Sequence, residues 1–137
     1  MNALVVDTSS WINYFNGKRV LLQEQVDVAL KEGRVYLPAV VAAELISGTK
    51  QSESIETELK EFLAELPLCD NSFEHWVRVG QLRKLLAKKG ITISTPDAHV
   101  LQSALDMKAY LVHEDKIFDK VKPHVPLKSL SFVKAEV

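Results

Sequence analysis

The chain reads as an α/β protein, with helices on both faces of a central, mostly parallel, five-stranded sheet. Two observations predict this. Short β-rich apolar runs alternate with longer runs that carry helical spacing. The junctions between them hold the residues that start and stop helices. Connections of this kind are right-handed, and a parallel sheet of this sort is covered on both faces.

The elements follow in order. Residues 3–7, from Ala3 to Asp7, form the first strand. Residues 10–16 and 20–32 are helical, with Gly33 ending the second helix. Arg34-Val35-Tyr36-Leu37 is the second strand. Pro38 can occupy the first turn of the next helix, which passes through Glu44 to about Ser47, with Gly48 as its cap. Residues 52–65 form a helix, because Ile55, Leu59, Phe62, Leu63 and Leu66 recur at helical spacing. Residues 66–70 are a weak third strand. Asn71 is placed to cap the next helix, with Glu74 three residues on completing a capping box; the helix stops at Gly90. Thr95 and Pro96 then cap and open a helix to about Met107. Residues 109–112 are the fourth strand, and residues 126–132 hold the fifth. The last few residues are expected to be mobile.

Bulk properties narrow the function. A length of 137 residues fits one domain spanning 1–137, and 47% hydrophobic with 26% charged residues is ordinary for a globular chain. No apolar stretch is long enough to span a bilayer, and the N-terminus does not read as a signal peptide, so a cytoplasmic protein is expected. The one cysteine, Cys69, excludes an internal disulfide framework and suits a buried structural thiol. A net charge of −1 argues against a generic nucleic-acid coat protein. It leaves room for a nuclease, in which an acidic pocket offsets basic surface elsewhere.

Four acidic residues carry the chemistry. Asp7 ends the first strand, and Asp115 lies just beyond the fourth. Glu44 interrupts an apolar helical run and is expected to be buried, and Asp97 opens a helix behind Thr95-Pro96. Each has an ordinary reading: Asp7 as a helix cap, Asp97 as a complement to a helix dipole, Asp115 as a solvated loop charge. Together they suit a single pocket beyond the carboxyl ends of the strands. Clustered buried carboxylates repel, and a hard divalent cation such as Mg²⁺ or Mn²⁺ removes the conflict. Such an ion can polarise a phosphoryl oxygen and activate water.

Four blocks of sequence together resemble the PIN-domain family, and the small VapC-type toxins in particular. They are the strand leading into Asp7-Thr8-Ser9-Ser10-Trp11-Ile12, Pro38 to Leu45 around Glu44, Thr95 to Ala104 around Asp97, and Ala109 to Phe118 around Asp115. The resemblance implies a PIN-like three-layer α/β/α fold with a five-stranded parallel sheet. It implies Mg²⁺- or Mn²⁺-dependent cleavage of RNA, with Asp7, Glu44, Asp97 and Asp115 as the catalytic, metal-binding quartet. Asp7 and Asp97 would be the most direct ligands, and Glu44 and Asp115 would complete the shell or orient the attacking water. The toxin branch implies a homodimer and a small VapB-like antitoxin that blocks the site. Two positions depart from the family pattern: His113 stands where Thr is common, and Ile117 where a further Asp is common, which bears on a second metal.

Lys116, Lys120 and Lys122 lie near Asp115 in sequence and are candidates to touch RNA; Arg78, Arg83, Lys84, Lys88 and Lys89 read as a basic helix face or a solvated one. The aromatic run Trp11 to Phe15 suits either core packing or a groove for an antitoxin helix. Three other classes fit less well. An aspartyl-nucleophile phosphatase would need an acid where Ser9 stands. A phospho-accepting receiver would need paired early acids, and Asp7 is alone. A non-catalytic module of the same fold would not need all four acids.

Overall fold

The computed structural model describes residues 2–17, 19–49 and 52–133. Four strands, β1 (Leu4–Val6), β2 (Val35–Tyr36), β3 (Tyr110–His113) and β4 (Lys128–Ser131), form one parallel sheet in the order β2-β1-β3-β4. Seven α-helices fall among the described residues: α1 (Thr8–Asn16), α2 (Val20–Lys31), α3 (Ala39–Ser47), α4 (Glu53–Ala64), α5 (Phe73–Lys88), α6 (Thr95–Met107) and α7 (Lys116–Val121). A short 3₁₀ turn, Lys122–His124, leads toward β4. The expected mobility of the last residues falls on 134–137, outside the described residues.

Every residue of β1 is buried. Successive side chains on a strand point to opposite faces, so both faces of the sheet are covered there. Val5, Val6, Leu111 and Val112 sit at the centre of the core with Trp11, Leu22, Leu101 and Phe118. β4 is the edge strand and its side chains are only partly covered.

The third of the five expected strands, at residues 66–70, is reduced to one bridge. Leu37 N–H donates to the Pro67 carbonyl, Cys69 N–H donates to the Leu37 carbonyl (both 2.9 Å), and pairing stops there. Pro67 has no N–H to offer a ladder, and Leu68 is 61% exposed. The bridge prolongs the β2 edge without becoming a strand.

Three helix starts also move. α1 begins at Thr8, with Asp7 at its cap position. Ser72, not Asn71, caps α5 by accepting the His75 N–H at 3.2 Å. Asn71 instead accepts a hydrogen bond from the Trp76 indole at 3.0 Å. Ser94, not Thr95, caps α6 by accepting the Asp97 N–H at 3.2 Å. Gly33 and Gly90 follow α2 and α5 with φ of +68° and +79°, where a side chain would be strained.

Candidate active site

From β1 the chain moves to β2 on one side, while β3 lies on the other side of β1. Strand order therefore reverses between β1 and β3, and a crevice opens at their carboxyl ends. Asp7 and His113 close those two strands, and the Asp7 N–H donates to the Val112 carbonyl at 2.9 Å. Asp7 is thus fixed on the crevice floor by the sheet itself.

The four acids reach this crevice from four elements, but their burial differs from the expectation. Asp7 is 6% exposed, and Asp97, in the first turn of α6, is half-buried. Glu44 and Asp115 are exposed, which corrects the expectation of a buried Glu44. On α3 the core is contacted by Val41 and Leu45, and the alanines around Glu44 are too small to mark a buried face. Glu44 lies on the rim, where its Oε1 accepts the Thr8 hydroxyl at 2.8 Å.

The acids lie near enough to repel one another. Burial pushes the Asp7 carboxyl up to about 6, against the pull of the Thr8 N–H; Asp97, Asp115 and Glu44 add to the rise. Burial also raises Asp97, Ser94 opposes it, and Asp115 and Glu44 raise it further. The helix-capping reading of Asp7 loses ground, because its side chain makes no capping bond to α1. Asp115 does cap α7, accepting the Ile117 N–H at 3.0 Å through Oδ1. A second carboxylate oxygen remains for the crevice.

These donors suit a hard cation, since all are carboxylate oxygens and their repulsion favours a positive charge between them. Among the described residues, no three His, Cys, Asp or Glu side chains are grouped so as to hold a metal ion together. A hard divalent cation that keeps several of its waters needs only one or two carboxylates to hold it.

The surroundings hold three groups that sequence reasoning missed or misjudged. His113 is fully buried against Phe118, and its Nδ1 accepts the Asp115 N–H at 3.3 Å, so it shapes the turn that carries Asp115. Glu114 binds both Asn13 and Arg19, tying α1 and the start of α2 to the end of β3. Between α5 and α6, His75 Nδ1 meets Asp106 at 2.8 Å and its Nε2 meets His99 Nδ1 at 2.7 Å. Arg78 grips both oxygens of Asp106 at 2.9 Å. The spacing of His75 and Arg78, one helical turn apart, was the available signal for this network, but their partners come from another helix.

Of the aromatic run, Trp11 is wholly buried, whereas Ile12 and Phe15 are about half-exposed. Cys69 is buried, and burial pushes its thiol up to about 12, as suits an inert structural residue. Lys122 donates to the Ser129 hydroxyl at 2.8 Å. No helix among the described residues is long and apolar enough to cross a membrane.

A parallel α/β sheet with mutually repelling carboxylates at its switch point defines a class of acidic-site proteins adapted to divalent cations. Within that class the chain belongs to the PIN domain family, whose sequence model matches residues 4–122. It is 26% identical over 111 residues to Ribonuclease VapC2 of Rickettsia felis, covering 79% of this chain and 83% of that one. Its fold is similar to a chain in the crystal structure of R. felis VapBC2 bound to a promoter DNA fragment. There the TM-score is 0.75 at 22% identity, over 95% of this chain and 98% of the other. A chain of DNA-bound VapBC from Salmonella typhimurium gives 0.76 at 20% identity, covering 96% and 98%. VapBC-1 of nontypeable Haemophilus influenzae gives 0.77 at 20% identity, covering 96% and 99%.

Proposed function

We propose that this chain is a metal-dependent endoribonuclease, the toxin of a toxin–antitoxin pair, held inactive by a small VapB-like antitoxin. The observation that carries the reading is the convergence of Asp7, Glu44, Asp97 and Asp115 on one crevice at the sheet's switch point. Family membership and the likeness to a ribonuclease VapC support RNA as the substrate.

Asp7 and Asp97 would hold Mg²⁺ or Mn²⁺, with Glu44 and Asp115 on the rim. When bound, the ion would polarise a phosphoryl oxygen and lower the pKa of attacking water. The protein's own residues do the rest. Asp7 is fixed by the Val112 carbonyl, Thr8 steers Glu44, and Ser94 holds the first turn of α6. Glu44 and Asp115, being exposed, are free to accept a proton from water at their carboxylate oxygens. Without a cation the same four charges repel the scissile phosphate, so the ion would be needed to seat that phosphate in the crevice.

The antitoxin has a place to sit. A cavity of about 320 Å³ lined by Phe15, Ile55, Glu58, Leu59 and Phe62 shares residues with one of about 270 Å³ that reaches Glu44. An apolar helix face filling both would cover the crevice rim. The homodimer stays part of this reading, and the exposed Phe73, Trp76 and Val77 on α5 are its candidate surface.

The test is incubation of the chain with total cellular RNA in Mg²⁺, Mn²⁺ or EDTA, beside Asp97→Asn. Discrete fragments that require metal and Asp97 are expected, with a loss of at least about 100-fold in the variant. Fragments that persist in EDTA, or in the variant, would sink the reading. Loss of inhibition by a co-expressed antitoxin in Phe15→Asp plus Leu59→Asp, with cleavage retained, checks the groove.

A further inference from the structure

A separate pocket, of about 320 Å³, lies between the C-terminal half of α5 and the extended segment before α6, lined by Gly80, Arg83, Lys84, Thr92 and Ile93 among others. No acid lines it. Arg83 Nε donates to the Ile93 carbonyl at 2.9 Å, which fixes the guanidinium plane. A guanidinium has five N–H groups, and among the described residues this is the one hydrogen bond Arg83 makes. Lys84 makes no hydrogen bond or ion pair among the described residues.

Gly80 adds an independent observation. It stands inside α5, where glycine costs about 1 kcal/mol relative to alanine. Its φ is not positive, and a Cβ built there would meet nothing within 4 Å. Neither backbone strain nor a packed neighbour requires glycine at this position. The open space lies on the pocket, where the missing side chain lets a ligand approach the helix.

Position gives the ligand its identity. Ile93 immediately precedes Ser94, the cap of α6, and Asp97 follows four residues after Ile93. Four residues span at most about 14 Å, so the Ile93 carbonyl that anchors the guanidinium lies within about that distance of Asp97. That crevice repels phosphates, and an RNA crossing it must be held by cations on either side.

We infer that the Gly80–Arg83–Lys84 pocket holds a backbone phosphate of single-stranded RNA flanking the cut site. The inference rests on the nuclease reading for its substrate, but it predicts binding that needs neither metal nor cleavage. Planar Arg83 supplies a two-pronged grip and Lys84 a point charge. Neither reads a base, so the pocket sets affinity and register rather than sequence.

The test measures binding of a labelled mixed-sequence single-stranded RNA in EDTA by fluorescence anisotropy across a salt series. Arg83→Gln plus Lys84→Gln should weaken binding about tenfold and reduce the log–log salt slope by about 0.7, the share of one phosphate contact on a single strand. Lys84→Gln alone, at an exposed helix position, should remove part of that slope without disturbing the fold. Gly80→Glu should abolish the pocket's share of binding while leaving the thermal midpoint unchanged or higher. An unchanged Kd and slope in folded Lys84→Gln and Gly80→Glu would overturn the inference. So would capture of inorganic phosphate with RNA affinity unaffected, which would mark a small-anion site. The nuclease assay is scored separately. Asp97-dependent cleavage with an unchanged KM in these variants rejects the pocket and keeps the nuclease. Pocket-dependent RNA binding with no cleavage keeps the pocket and rejects the nuclease.

Discussion

Helix α6 carries an aspartate at each end, and the two ends treat it in opposite ways. Asp97, in the first turn, faces Asp7, Glu44 and Asp115, and its carboxyl is raised. Asp106, in the last turn, is gripped by Arg78, His75 and Gln102, and these hold its carboxyl below the usual range despite partial burial. One helix thus joins a region where charge is left in conflict to one where nearly every charge is matched. Proteins place such conflict where a ligand resolves it and place matched networks where rigidity is needed. The α5–α6 network fixes the helix that presents Asp97.

The largest effect should come from breaking the matched end. Asp106→Ala leaves His75 buried without its carboxylate and Arg78 without its main partner. A loss of about 3 kcal/mol or more is expected in urea unfolding. His75→Ala should cost a similar amount, and the double variant should cost much less than the sum. Additive losses would show that the network is not one unit.

Removing charge at the conflicted end should do the reverse. In EDTA, Asp7→Asn should stabilise the fold at about pH 7, by on the order of 3 kcal/mol if the rise from 3.8 to about 6 is fully relieved. The sign follows from linkage. A carboxyl whose folded pKa is raised contributes most below its unfolded pKa, and that contribution is lost as pH rises from 3.8 through about 6. His99 works the other way: burial, with His75 beside it, lowers it from 6.5 to about 4. Its contribution is present above 6.5 and is lost as pH falls through about 4. The two slopes oppose each other between about pH 4 and 6, so the wild type should be nearly flat there. Asp7→Asn should expose the His99 slope and become steadily less stable toward acid. A variant as flat as the wild type would show that the two ends do not offset each other.

Divalent metal should resolve the conflict without mutation. Saturating Mg²⁺ at about 100 times its Kd should add about 2.7 kcal/mol to the wild type. Asp106→Ala should gain the same increment from a lower baseline, and Asp97→Asn should gain little. An equal gain in Asp97→Asn would place the ion elsewhere.

The two ends also differed in how legible they were. The conflicted end could be read because each acid interrupts a local pattern: Asp7 closes an apolar run, and Asp97 follows Thr95-Pro96. The matched end was silent because His75, His99 and Asp106 each look ordinary within their own helix and acquire meaning only where α5 crosses α6. Strand positions came through because β1 is apolar throughout and β3 carries Leu111 and Val112 at its centre. Residues 66–70 misled because Leu66 and Leu68 are apolar while Pro67 cannot continue a ladder. Glu44 misled for a related reason, since alanine neighbours signal helix propensity as readily as burial.

The smallest effect lies at the joint between the two regions. Ser94 caps α6 through the Asp97 N–H and also opposes the rise of the Asp97 carboxyl. Ser94→Ala should therefore cost about 1 kcal/mol of stability, typical of a lost cap. It should also raise the Asp97 carboxyl further and shift metal-dependent cleavage to higher pH, because the ligand must be ionised to bind the cation. Ser94→Asp would restore the cap but add a fifth acid to the crevice. Stability should then recover in Mg²⁺ and not in EDTA, where the added charge deepens the repulsion. Equal recovery in both would mean that the crevice does not sense charge at residue 94, and that the conflict is confined to Asp7.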